Sequence, residues 1–299
     1  MTPLQRYIVE EIAADHADGL LTRREALRRL GLLGVGTTTA AALLAACSSD
    51  GQTANPVTSA TGSAAPPPGM STAVLTTPVT FPGPDGRELR GAWAAAAQPR
   101  GAVLVIHENK GLTDHIRSVA GRFAGVGYSA LAVDLLSESG GTGVFTDPAA
   151  ATAALSKIPQ DKLVADLRAG IDELERRAPG QQVGATGFCF GGGLVWLLLT
   201  SGTPKLAAAT PFYGPFPDNG DVSGSKAAVL AVYAAQDARI DASRPGAEAA
   251  LQHARLPYEV FVAPDADHAF FNDTGPRYNP TAADEAWRRT VDWYRAWLG

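Results

Sequence analysis

The chain has little sulfur and little charge. Of its 299 residues two are cysteines, Cys47 and Cys189, too few for disulfides to hold the fold. Charged residues make up 18% and sum to −5, from 25 Lys+Arg against 30 Asp+Glu. No block of Lys or Arg occurs beyond the first thirty residues. That excludes a nucleic-acid binder, because neutralising phosphates takes clustered cations. A long apolar run is also missing. The uncharged stretch from Leu30 to Ala46 has 17 residues rich in Gly, Thr and Ala, too short and too weakly apolar for a comfortable spanning helix, which wants about 20. What is present is 45% hydrophobic residues, enough to bury a substantial core without metal or disulfide.

The first 70 residues differ from the rest. Residues 1–21 resemble a short polar helix. Arg23, Arg24, Arg28 and Arg29 then precede the uncharged run, which ends in Leu44-Ala45-Ala46-Cys47. An arginine pair before a moderately apolar run resembles a twin-arginine export signal, and its end resembles a bacterial lipobox. Residues 1–46 are therefore expected to be a cleaved signal. Cys47 is expected to be lipidated and to attach the protein to the outer, periplasmic or cell-surface, side of the membrane. Residues 47–73, poor in charge and rich in Ser, Thr, Ala and Pro, read as a flexible tether.

From residue 74 to 299 strands alternate with helices. Apolar runs rich in β-branched residues fall at 102–107, 128–133, 182–186, 206–213, 227–233 and 258–263. Helical periodicities fall at about 114–125, 149–177, 191–200, 243–254 and 281–297. Such alternation predicts an α/β fold, a mostly parallel central sheet with helices on both faces. An antiparallel hairpin, 74–81 and 88–97 around Gly83-Pro84-Asp85-Gly86, is expected to lead into it.

Gly187-Phe188-Cys189-Phe190-Gly191 lies between a predicted strand and a predicted helix. Glycines on both sides permit the cramped turn of a nucleophile elbow, which holds its central side chain over the sheet edge at a helix N-terminus. Cys189 is thus the expected nucleophile. Among five histidines, His268 is the one after the last strand and before the C-terminal helix, where the base belongs. The acid is expected after the preceding strand, at Asp237, with Asp241 as competitor. The order Cys189, Asp237, His268 is that of an α/β-hydrolase fold.

At these residues, with His107-Glu108-Asn109-Lys110-Gly111-Leu112 and His268-Ala269-Phe270-Phe271-Asn272-Asp273, the chain resembles the dienelactone hydrolase family. The resemblance implies a cysteine-dependent hydrolysis of an ester or lactone, without metal or cofactor. It also implies that Glu108 contacts the thiol and that the backbone N–H groups of Asn109 and Phe190 form the oxyanion hole. Family members grip a substrate carboxylate with arginines, one of them four residues after the histidine. Here that position is Asn272, which leaves Arg277 and Arg117 as candidates. The alternatives are a broader carboxylesterase or thioesterase and a non-catalytic exported lipoprotein that keeps the hydrolase fold.

Overall fold

A computed structural model describes residues 1–47 and 66–299. The N-terminal segment forms helices α1 (Pro3–Ala17), α2 (Arg23–Leu32) and α3 (Thr37–Cys47). The strands are β1 (Thr77–Pro82), β2 (Glu88–Ala94), β3 (Gly101–Ile106), β4 (Tyr128–Asp134), β5 (Val183–Phe188), β6 (Leu206–Phe212), β7 (Ala228–Ala234) and β8 (Tyr258–Ala263). The remaining helices are α4 (Asp114–Gly125), α5 (Pro148–Leu155), α6 (Gln160–Arg177), α7 (Phe190–Thr200), α8 (Ala238–Asp241), α9 (Arg244–Ala254) and α10 (Pro280–Trp297).

The eight strands form one sheet in the order β1-β2-β4-β3-β5-β6-β7-β8. β1 and β2 pair antiparallel around the Gly83–Gly86 turn, β2 pairs antiparallel with β4, and every pairing from β4 to β8 is parallel. The central strands β3, β4, β5 and β7 are buried at every position, as a parallel sheet covered on both faces requires. α4 and α10 share one face, where Phe123 packs on Trp287 and Tyr294 with ring centroids 4.8 and 5.7 Å apart; α6 and α7 pack together on the other. The single helical periodicity expected over 149–177 is two helices, because Pro159 has no N–H to continue α5 and instead opens α6.

The segment before residue 48 departs most from expectation. α1 begins on a capping box, with Thr2 accepting from the Gln5 N–H and the Gln5 side chain answering, and with Pro3 in its first turn. It is no solvated polar helix: Leu4, Ile8, Val9 and Ile12 are buried in the same core as the sheet. Each such side chain contributes about 1.5–3 kcal/mol before the entropy of ordering the segment is subtracted. Leu30, Val35, Ala40 and Leu44 of the uncharged run are buried in that core too. No described helix is long and apolar enough to cross a membrane. Cys47 ends α3, but its side chain and residues 48–65 of the expected tether lie outside the described residues. Residues 66–73 do not extend freely: Gly69 lies against Trp287, and Met70 accepts from Ser118 at 3.8 Å.

Candidate active site

Four strand ends converge at the carboxyl edge of the sheet, where ligands bind in open α/β sheets. β3 delivers Glu108 and Asn109, β5 delivers Cys189, β7 delivers Asp237 and β8 delivers His268. Cys189 has φ 57° and ψ −118°, a strained backbone that points its side chain out of the turn. Steric crowding explains the flanking glycines. A Cβ at Gly187 would come 2.2 Å from the Gly191 carbonyl oxygen, and one at Gly191 would come 2.4 Å from that of Ile106.

Asp237 Oδ2 accepts from His268 Nδ1 at 2.5 Å. Nδ1 is the donor, so Nε2 of the neutral ring is left as the acceptor, and Nε2 is buried with no partner. Burial opposes charge on both residues, but their mutual bond and attraction outweigh it. The Asp237 carboxyl is held below its ordinary range and the His268 imidazole above it. Asp241, the competing acid, makes no bond to His268; its Oδ1 is buried without a partner. His107 is structural: it takes the Leu135 N–H on Nε2 at 3.2 Å and gives Nδ1–H to the Glu108 carbonyl at 2.6 Å.

The surroundings of the thiol differ from what the resemblance implied. Glu108 makes no hydrogen bond to Cys189; its Oε2 accepts from Asn272 Nδ2 at 2.7 Å. The contacts to Sγ come from α1, with the Tyr7 hydroxyl at 3.1 Å and both oxygens of Glu11 at 3.4 Å. Asn109 Nδ2 donates to Glu11 Oε1 at 2.9 Å. Burial pushes the thiol well above its usual range, the charges of Glu11 and Glu108 add to this, and the Phe190 N–H works against it. Phe190 is the first residue of α7, a position whose N–H has no partner within the helix.

The two arginine candidates separate. Arg277 lines a cavity of about 250 Å³ that also touches Cys189, His268, Glu108 and Asn109. It pairs with Asp267 at 3.2 Å, with Asp15 at 2.8 Å and with Asp18. Arg117 is not at the site: it lies on α4 beside Asp114 and borders a different cleft with Pro78 and Arg90. The sequence reading missed Arg239, which lies two residues beyond Asp237 with its guanidinium 4.9 Å over the Tyr7 ring. It also missed Tyr7 and Glu11, whose only signal was their common helix face.

One donor atom each from Glu11, Cys189 and His268 lies within 4.8 Å of the others, a sulfur, nitrogen and oxygen set that zinc accepts. The thiol and imidazole are also the pair a hydrolytic triad uses, so a metal there would compete with that reaction.

Known proteins resemble the chain in sequence and fold. Residues 89–298 match the model of the dienelactone hydrolase family. A relative from Escherichia coli strain K12, provisionally named a carboxymethylenebutenolidase, is 31% identical over 67% of this chain and 79% of its own. One from Saccharolobus solfataricus, with the same provisional name, is 31% identical over 71% of this chain and 95% of its own. A crystal structure from Klebsiella pneumoniae, provisionally named a dienelactone hydrolase, superimposes with a TM-score of 0.65 at 29% identity, covering 74% of this chain and 99% of its own. The chain belongs to the dienelactone hydrolase family.

Proposed function

We propose that this protein is a carboxylic ester hydrolase that cleaves an ester or lactone through a thioester on Cys189. The observation that carries the reading is the pairing of Asp237 with His268 at the same sheet edge as the Cys189 elbow, with Nε2 of the imidazole free. As sulfur attacks the carbonyl carbon, His268 takes the thiol proton, and the oxyanion is held by the N–H groups of Asn109 and Phe190; losing one such donor costs about 100- to 1000-fold in rate. Collapse of this intermediate breaks the C–O bond, and His268 gives its proton to the departing alkoxide. Water then attacks the thioester as His268 takes its proton, and the acid and the thiol are released. Burial holds the resting thiol neutral, and the charges of Glu11 and of Glu108, the latter bonded to Asn272, add to this.

Asn272 favours a second reading, that of a broader carboxylesterase or thioesterase. It stands where the family resemblance places an arginine for a substrate carboxylate, and here it binds Glu108 instead. The test is hydrolysis of a short-chain aryl ester and of a dienelactone, each beside Cys189→Ala and His268→Ala. Both variants should lose turnover, and unchanged activity in either would remove the triad. Turnover of the ester with none of the lactone would select the broader esterase.

For localisation we propose export with a lipid on Cys47. The motif around Arg23 and Arg24 supports it, and both arginines are exposed at the start of α2. Mass spectrometry of membrane-fraction protein should show the lipid; mature protein with residue 1 intact would refute it.

A further inference from the structure

We infer that the catalytic cleft is a docking site for the chain's own first helix, which keeps the enzyme closed until the segment is displaced or removed. This rests on the reading of Cys189 as the nucleophile. Tyr7, Glu11, Asp15 and Asp18 recur at steps of four, four and three, so they line one face of α1 and the turn that follows it. Each meets a group at the site. Tyr7 and Glu11 lie on Sγ, Glu11 also holds the Asn109 side chain, and Asp15 and Asp18 both engage Arg277.

An attacked carbonyl carbon needs to sit roughly 3–3.5 Å from the sulfur. Tyr7 at 3.1 Å and Glu11 at 3.4 Å fill that space, and Cys189 is 2% exposed. The 250 Å³ cavity beside the thiol is walled on one side by Glu11, Ile12 and Asp15, so withdrawal of α1 would open it into a cleft. Charge fits as well, because Asp15 and Asp18 pair with Arg277, and Arg239 lines the same cavity as Glu11, Asp15 and Asp18. The whole stripe lies within residues 1–46, the stretch read as an export signal. Cleavage before Cys47 would therefore remove the cap, making processing and activation one event.

The test uses the full-length chain and two variants, Asp15→Lys/Asp18→Lys, which sets like charges against Arg277, and Tyr7→Ala/Glu11→Ala, which empties the space before the sulfur. Two rates are read: alkylation of Cys189 by iodoacetamide, located by peptide mass so that Cys47 is counted separately, and hydrolysis of p-nitrophenyl acetate. Both rates should rise about tenfold or more in each variant, the gain expected when a largely closed population is opened. Unchanged alkylation in both variants would overturn the inference. So would hydrolysis that falls while alkylation rises, since α1 would then be completing the site. A rise confined to variants without a cooperative thermal transition would overturn it too. If alkylation rises but no form hydrolyses the ester, the docking stands and the hydrolase reading fails.

Discussion

The two walls of the cleft around Cys189 are built by different means. On one side four strand ends of a single sheet deliver Glu108, Cys189, Asp237 and His268, each fixed by a ladder of backbone bonds. On the other a single helix delivers Tyr7, Glu11 and Asp15, held to the sheet domain by side-chain packing and ion pairs. The sheet wall cannot withdraw without unfolding the core. The helical wall can, because its backbone bonds are internal and docking costs it only side-chain contacts. Changes in the first wall should therefore remove activity, whereas changes in the second should release it.

The largest effect is expected at the sheet wall. Replacing His268 by Ala should lower ester turnover about 10⁴-fold or more, read as kcat/KM. An equal loss from a Tyr7 or Glu11 variant would erase the contrast between the walls. Asp237→Asn should cost about 10³- to 10⁴-fold and carry a pH signature. Burial lowers the His268 pKa and Asp237 more than restores it. Activity that requires the neutral imidazole should rise with pH through a midpoint above the ordinary histidine value, and the variant should move that midpoint down. A midpoint that stays put would show that Asp237 does not set the charge of His268.

A third variant probes how the histidine loop is braced. Asp273 accepts from His115 at 2.6 Å and Arg122 at 2.7 Å, and both of those side chains are buried. Although burial raises the Asp273 carboxyl, His115 and Arg122 more than offset this and lower it to about 2. This stabilisation should be present at and above the ordinary carboxylate range and be lost as pH falls through about 2. Asp273→Asn leaves Arg122 without its charge partner and should cost about 3 kcal/mol of stability at neutral pH, read by denaturant unfolding. The smallest effect is expected for Arg117→Ala. Its pair with Asp114 spans 3.9 Å near the surface, so stability should change by less than about 1 kcal/mol and KM should not change. A raised KM would return Arg117 to the substrate site.

Much of the sheet wall was legible in the sequence because its rules are local. Apolar runs of strand length, turn glycines and the G-x-C-x-G elbow each act within a few residues, and the chain order of Cys189, Asp237 and His268 follows from the order of the strands. Glu108 and Arg277 were pointed to by the family resemblance, but their partners were not. Asn272 captures Glu108 across 164 positions of sequence, and Asp15 reaches Arg277 across 262. No short-range pattern encodes such meetings. For the same reason residues 1–21 read as a short polar helix: the apolar and acidic faces of α1 are both visible in its sequence, but not what covers them.

By itself, then, the sequence determined the α/β alternation and the strand-to-helix elbow at Cys189, because hydrophobic period and glycine sterics are properties of neighbouring residues. The tertiary structure decided which carboxylate meets the thiol. Glu108 is held aside by Asn272, and Glu11, 178 residues from Cys189, takes the place. Which of two available acids reaches a buried sulfur depends on how a helix packs against a sheet edge, and packing is settled by the whole surface each presents to the other.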